Sequence, residues 1–517
     1  MVKHVPTIMT ITGNPPVIPA PAAALPTGWG DSAPHPALTP SSQRLRPAGV
    51  PVRRSLLRLA GFGAIPLIGL VAGDWIASVA LAVLFVAWKF LSREPGPPIV
   101  AAAFSMQWLQ VVAGILYFVF TGRRVIEMLS DDYRPMAVIG LTSIVVLFTG
   151  FYLAGGFGRA KRLRANAQRL LPWPTLKIAV FYVLTVALSG VLQEVALSTG
   201  GLTQVILVFS HVRYVLLFLL VTRLTTPRLR WPLIAAILAT EVALGVTGFY
   251  GGFREPLVIT AIAIFGAMDK KRIGTWVFIG SIAALALAAA LIWTAAKPIV
   301  RQPALATASP AERLNAVISL TGPTFAGGAG AWKGQADNLV SRLWAIYYAG
   351  LAYKRIPAVM PHENGAILWG AIENVLTPRL FFPSKPVLPS QSDEVRKYSG
   401  VWVGGREINT SFAFGYVGEA YVDFGLPLMF VPMFILGLSL GFAYRWLNRH
   451  IRHDELRVGV TAVIVWSTLG VYEASWVMLI GPSITILAVL GGSAYLLDRT
   501  LTAGGKQRTI GYLSKAS

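Results

Sequence analysis

The sequence predicts an all-α fold: a polytopic membrane helix bundle of about twelve transmembrane helices, with one large, partly helical periplasmic loop. Three observations carry this. The 517 residues are 55% hydrophobic and only 13% charged, where a soluble domain carries about 25% charged residues. Apolar stretches of helix length recur along the chain. Between the last two groups of these stretches lies a polar, aromatic segment of more than 100 residues, too long for an ordinary bundle connection and too aromatic for a disordered one.

Residues 1–52 are rich in Pro, Ala and Ser and lack the apolar h-region of a cleavable signal. They read as a disordered cytoplasmic tail. Spans are expected at 56–72, 75–91, 99–121, 136–156, 176–195, 203–222, 232–250, 255–268, 274–296, 426–446, 457–474 and 477–497. The resulting organisation is a tail (1–52), nine spans (53–296), the loop (297–425), three further spans (426–498) and a second tail (499–517). No internal repeat suggests an inverted-repeat transporter. The absence of Cys excludes disulfides, thiolate metal sites and Cys nucleophiles.

Orientation follows from the basic residues. The connection at 158–169 holds Arg159, Lys161, Arg162, Arg164 and Arg169 without an acid, and Arg223, Lys270 and Arg449 fall on the same side of a twelve-span layout. The positive-inside rule then places both termini in the cytoplasm and the long loop outside. It also accounts for the net charge of +22, because the cations sit in short inter-helix loops and not on one nucleic-acid-binding face.

Ionisable groups inside spans are costly and draw attention. Arg213 and Glu241 lie at equal depth in the antiparallel spans six and seven, roughly 14 Å from the cytoplasmic ends, and are expected to pair as a register-fixing structural ion pair. His211 nearby reads as a satisfied core histidine. At the outer face Glu194, Glu473 and Arg254 end or begin spans. Arg254 follows glycine-rich sequence that lets a ligand approach the backbone. It suits either a phosphate or an interfacial snorkelling role.

Helical patterns in the loop cover 311–320, 337–353 and 365–375, the second amphipathic and suited to a membrane surface. The Gly-rich segment 322–330 lacks a P-loop Lys and reads as a hinge. The loop balances 12 Lys/Arg against 9 Asp/Glu, and His362 is the one histidine expected outside. No His/Asp pair at ligand spacing points to a metal.

Two blocks within this loop resemble the bacterial oligosaccharide repeat-unit polymerases, or O-antigen polymerases. One is Pro378-Arg379 with Ser384-Lys385-Pro386. The other is Gly415, Gly418-Glu419-Ala420-Tyr421 and Asp423-Phe424-Gly425, followed at once by a span. The turn ending in Arg254 is similar as well. The resemblance implies transfer of a polyprenyl-diphosphate-linked glycan to a hydroxyl of an incoming lipid-linked unit, as a metal-independent glycosyltransferase needing no cofactor. It implies cations for the departing diphosphate and a base for the hydroxyl proton. Arg254, Arg379 and Arg406 are the expected diphosphate ligands, and Glu419 or His362 the base, with Lys385, Tyr421, Glu194 and Glu473 as substrate contacts. Expected partners are the lipid-linked oligosaccharide, membrane lipid, a flippase and a chain-length regulator. An O-antigen ligase would share the leaving group and differ in acceptor. A flippase would carry polar groups across the bilayer midplane, where this chain has only Arg213, Glu241 and His211.

Overall fold

The computed structural model describes residues 74–92, 97–122, 133–157, 170–199, 202–225, 230–247, 254–268, 273–300, 305, 308–379, 381–382, 384–385, 389–408 and 411–513. All belong to one compact unit, Leu56–Ser517. The expected first span, the tail 1–52 and residues 514–517 lie outside these residues, whereas 499–513, expected as tail, continue the last helix.

Among the described residues the regular elements are all helices. We number them α1 Trp75–Leu91, α2 Ile99–Thr121, α3 Tyr133–Gly155, α4 Thr175–Ser198, α5 Thr203–Thr225, α6 Trp231–Thr247, α7 Arg254–Ala267 and α8 Ile273–Val300. The loop region holds α9 Pro310–Ala326, α10 Gly328–Leu343, α11 Tyr347–Arg355, α12 Ala366–Leu376, α13 Gln391–Ser399 and α14 Tyr416–Phe424. There follow α15 Phe430–His450, α16 Asp454–Leu469, α17 Trp476–Ile486 and α18 Gly492–Leu513, the last two joined by a π turn at Leu487–Gly491. Eleven of the twelve expected spans therefore fall on helices. Among the described residues seven segments are long and apolar enough to cross a membrane: α2, most of α3, most of α4, α5, most of α8, α15 and Trp476–Ala503. Helices α1, α6, α7 and α16 have 14–17 residues and reach only about 21–26 Å, short of the ~30 Å hydrocarbon core.

Apolar burial alone drives no helix together in lipid, so close approach of backbones matters more. The α3–α15 pair shows this. Gly437 and Gly441 form a small-residue step on α15, and a Cβ on Gly437 would stand 2.0 Å from the Leu147 carbonyl oxygen. Nearby, Phe104 of α2 meets Phe148 of α3 edge-on at 5.1 Å.

Two buried glutamines on α2 tie the bundle to the loop region. Gln107 Nε2 donates to the Leu469 carbonyl (2.8 Å), and Gln107 Oε1 accepts from the Tyr416 hydroxyl (2.8 Å). Gln110 Oε1 accepts from the Tyr472 N–H (2.8 Å).

The loop departs from the expected pattern in two places. The segment 337–353 is no surface amphipathic helix. It breaks at Trp344, whose ring lies against Gly114 and whose Nε1–H donates to the Val111 carbonyl (2.9 Å). Ile346, Ala349 and Ala352 are buried behind it, so the apolar stripe faces protein. The 322–330 hinge is mostly helical and narrows to the junction at Gly327 between α9 and α10.

Candidate functional site

A cavity of about 580 Å³ lies where α12, α13, α14 and the start of α17 meet. Its wall is set by α14, which begins after Gly415 at φ +81°, where a Cβ would stand 3.1 Å from the Tyr472 carbonyl oxygen. The Tyr416 N–H then donates to the Ala474 carbonyl (2.6 Å). This docks the first turn of α14 on the 470–475 loop.

The i, i+4 spacing of Glu419 and Asp423 puts both acids on one face of α14, where they do different work. Asp423 accepts from the N–H groups of Ile367 (3.0 Å) and Leu368 (2.7 Å), capping the first turn of α12. Glu419 points into the cavity wall and is 2% exposed. Its Oε2 accepts from the Trp476 N–H (2.7 Å), in the first turn of α17. Its Oε1 is buried with no donor from the rest of the described protein. Facing it is the carboxyl of Glu394 on α13. Two carboxylates bond each other only when one carries a proton. Burial first, and the Glu394 charge second, hold Glu419 well above the usual carboxylate range. Burial raises Glu394 to about 7, and a proton donated by Glu419 opposes that rise. Burial thus favours a neutral Glu419 at neutral pH and leaves the facing Glu394 close to its own titration point.

Helix α13 is fixed by a capping box. Ser390 Oγ accepts from the Asp393 N–H, and Asp393 accepts from the Ser390 N–H. Gln391 Nε2 donates to Ser475 Oγ (2.8 Å), tying α13 to α17. Arg396 clamps the following segment, with Nε donating to the Val403 carbonyl (2.7 Å) and Nη2 paired with Glu407. That clamp presents Arg406 at the cavity. Arg379, beyond the end of α12, lines it too. Both arginines are exposed at the rim while the carboxyl pair lies deeper. The starts of α13 and α17 add partial positive charge from their N-terminal N–H groups.

The expected site residues thus divide. Glu419, Arg379 and Arg406 share the cavity wall. Lys385 stands beside it, its Nζ donating to the Asn374 and Thr377 carbonyls at the end of α12. Burial, and then the neighbouring Arg379, lower its pKa. Tyr421 faces away: its hydroxyl donates to the Ile356 carbonyl (2.9 Å), a fold contact and not a substrate one. His362 is at the opposite end of α14 from Glu419. Its Nδ1 lies 3.1 Å and 3.2 Å from the Tyr421 and Val422 carbonyls, and it packs on Gly425, whose φ of +62° leaves room for the ring. It straps a helix end and does not reach the cavity.

Arg254 does not stand on the cavity wall among the described residues. Its guanidinium grips Glu255 (2.9 Å) and lies over the Trp466 ring at 5.9 Å. Glu473 belongs to the same neighbourhood. Arg254 and Lys297 both lie within reach of its charge. The Glu194 side chain and the glycines before Arg254 lie outside the described residues. Arg213 and Glu241 approach to 2.9 Å, an ionic contact that misses hydrogen-bond alignment at Glu241 Oε2. The other carboxylate oxygen accepts from the Tyr182 hydroxyl (2.6 Å).

The residue missing from the sequence reading is Glu394. Its signal was present in Ser390-Gln391-Ser392-Asp393, a capping-box pattern that opens a helix and places the next residue on its first turn. Among known proteins, no curated protein and no solved structure matches this chain. Residues 165–444 match the family described as "Domain of unknown function (DUF8712)"; that is just over half of the 517 residues, and the protein belongs to this family.

Proposed function

We propose that the protein polymerises polyprenyl-diphosphate-linked oligosaccharide repeat units at the periplasmic face of a bacterial inner membrane, within a twelve-span arrangement that keeps both termini cytoplasmic. The observation that carries this reading is the cavity itself. It joins two rim arginines to the buried Glu419 and the half-buried Glu394 at the end of a helix long enough to span a bilayer.

The chemistry needs little else. A sugar hydroxyl of the incoming unit attacks the anomeric carbon of the growing glycan. The bond from that carbon to the diphosphate oxygen breaks, and the electron pair leaves with polyprenyl diphosphate. Arg379 and Arg406 stabilise the departing charge. Glu394, ionised and held by the Glu419 proton, accepts the hydroxyl proton. Arg254, away from this cavity, is assigned to fixing α7 against α16.

Deletion of the gene in its host tests the reading, with complementation by wild type, Arg379→Ala or Glu394→Gln and analysis of lipid-linked glycans by gel and mass spectrometry. Single lipid-linked units that build up on the periplasmic face in the deletion and both variants are the expected outcome. Long polymer left on its carrier would make the protein a ligase. Single units retained on the cytoplasmic face would make it a flippase.

A further inference from the structure

We infer that α12 and the Phe381–Phe382 turn behind it lie in the lipid headgroup layer and that the cavity opens there, so its ligand arrives from the bilayer and not from water.

Helix α12 has two working faces. Ile367, Gly370, Ala371 and Asn374 line the cavity. The other side presents Trp369 and Leu376, 66% and 71% exposed, and Phe381 just beyond the helix is 73% exposed. In water these would form an uncovered apolar patch of the kind that marks an interaction surface.

The placement of α12 says what covers the patch. It packs on α17, the beginning of the 28-residue apolar segment Trp476–Ala503. A helix of that length crosses the hydrocarbon core with its first turn at one boundary. That first turn supplies Ser475, Val477 and Met478 to the cavity, and Met478 is both a lining residue and 57% exposed. The cavity therefore sits at the depth where hydrocarbon gives way to headgroups, and α12 lies beside it at the same depth.

Charge fits as well. Arg379 lies between Leu376 and Phe381 and Lys385 just beyond Phe382, at the level where lipid phosphates lie. Glu373, the acid on the exposed side of α12, lies in the field of Lys385. Tryptophan at such a boundary is the usual interfacial anchor.

The inference concerns where the mouth opens and stands whether or not the ligand is a glycan carrier. The chain has no cysteine, so single-cysteine variants of the full protein take one spin label each. Labels at Trp369→Cys, Leu376→Cys and Phe381→Cys, with Phe382→Cys as an independent fourth site, are compared in vesicles of phosphatidylethanolamine and phosphatidylglycerol. Collision with oxygen should exceed collision with a water-soluble nickel complex at these sites, and the ratio should invert for Glu312→Cys on α9. Nickel access at the four sites equal to that at Glu312 overturns the inference. So does shielding from both reagents, which would mean that protein covers the patch. Neither result bears on the transfer assay.

Discussion

Replacing Glu394 by glutamine should alter how the protein's stability depends on pH, by an amount set by the carboxyl pair. In the unfolded chain Glu394 loses its proton near the ordinary carboxylate value of 4.5; in the native cavity burial raises this to about 7. Between those values the native state holds a proton that the unfolded state has released, so stability falls as pH rises. A shift of that size is worth about 3 kcal/mol, complete above pH 7 and absent below pH 4.5. Glutamine keeps the shape and can donate to Glu419 but does not titrate. Thermal melts of both proteins in one detergent from pH 4.5 to 8 should start together and diverge, with Glu394→Gln the more stable by up to about 3 kcal/mol at pH 8. Parallel curves across the range would refute the buried, proton-sharing pair. The same substitution should lower transfer by roughly 10²–10⁴ at pH 7.5, and the wild-type rate should climb as pH passes about 7.

Arg379→Ala and Arg406→Ala should each reduce transfer about 10²–10³-fold in a reconstituted assay, the scale seen when one donor to a developing anion is lost, with lysine restoring part of the rate. His362→Ala should leave the pH profile of transfer unmoved while costing about 1–3 kcal/mol in a denaturation measurement, because His362 holds the end of α14 and no proton of the reaction. Gly437→Ala should destabilise the protein by at least about 1–3 kcal/mol in the same measurement, since the new Cβ meets the backbone oxygen of Leu147, which cannot step aside as a side chain would.

Helix positions were largely legible in the sequence because a span needs a long apolar run, which composition shows directly. The start of α2 at Ile99 and of α5 at Thr203 follow the runs to the residue. The pairing of Arg213 with Glu241 was legible for the same reason: two charges at equal depth in a hairpin have few other partners. The loop was harder. Its 337–353 stripe shows helical spacing, but periodicity cannot say whether an apolar face meets lipid or protein. Trp344 settles that through a contact with Gly114, distant in the chain. The candidate site was half legible. Glu419 and Arg379 belong to conspicuous blocks and Arg406 lies between them, but Glu394 sits in an ordinary polar run and gains meaning only when α13 is tied to α17 through Gln391 and Ser475. Gln107 and Gln110, which hold this scaffold, were visible as paired amides in an apolar span, a signal the charged residues overshadowed.

The most direct test of the central claim is a transfer assay with purified protein in vesicles, using one defined polyprenyl-diphosphate-linked oligosaccharide as both donor and acceptor. The account expects wild type to lengthen the glycan and release polyprenyl diphosphate in equal amounts. It also expects Glu394→Gln and Arg379→Ala to lose both products together. A wild-type protein that leaves the glycan at its original length, or variants that lengthen it at the wild-type rate, would contradict it.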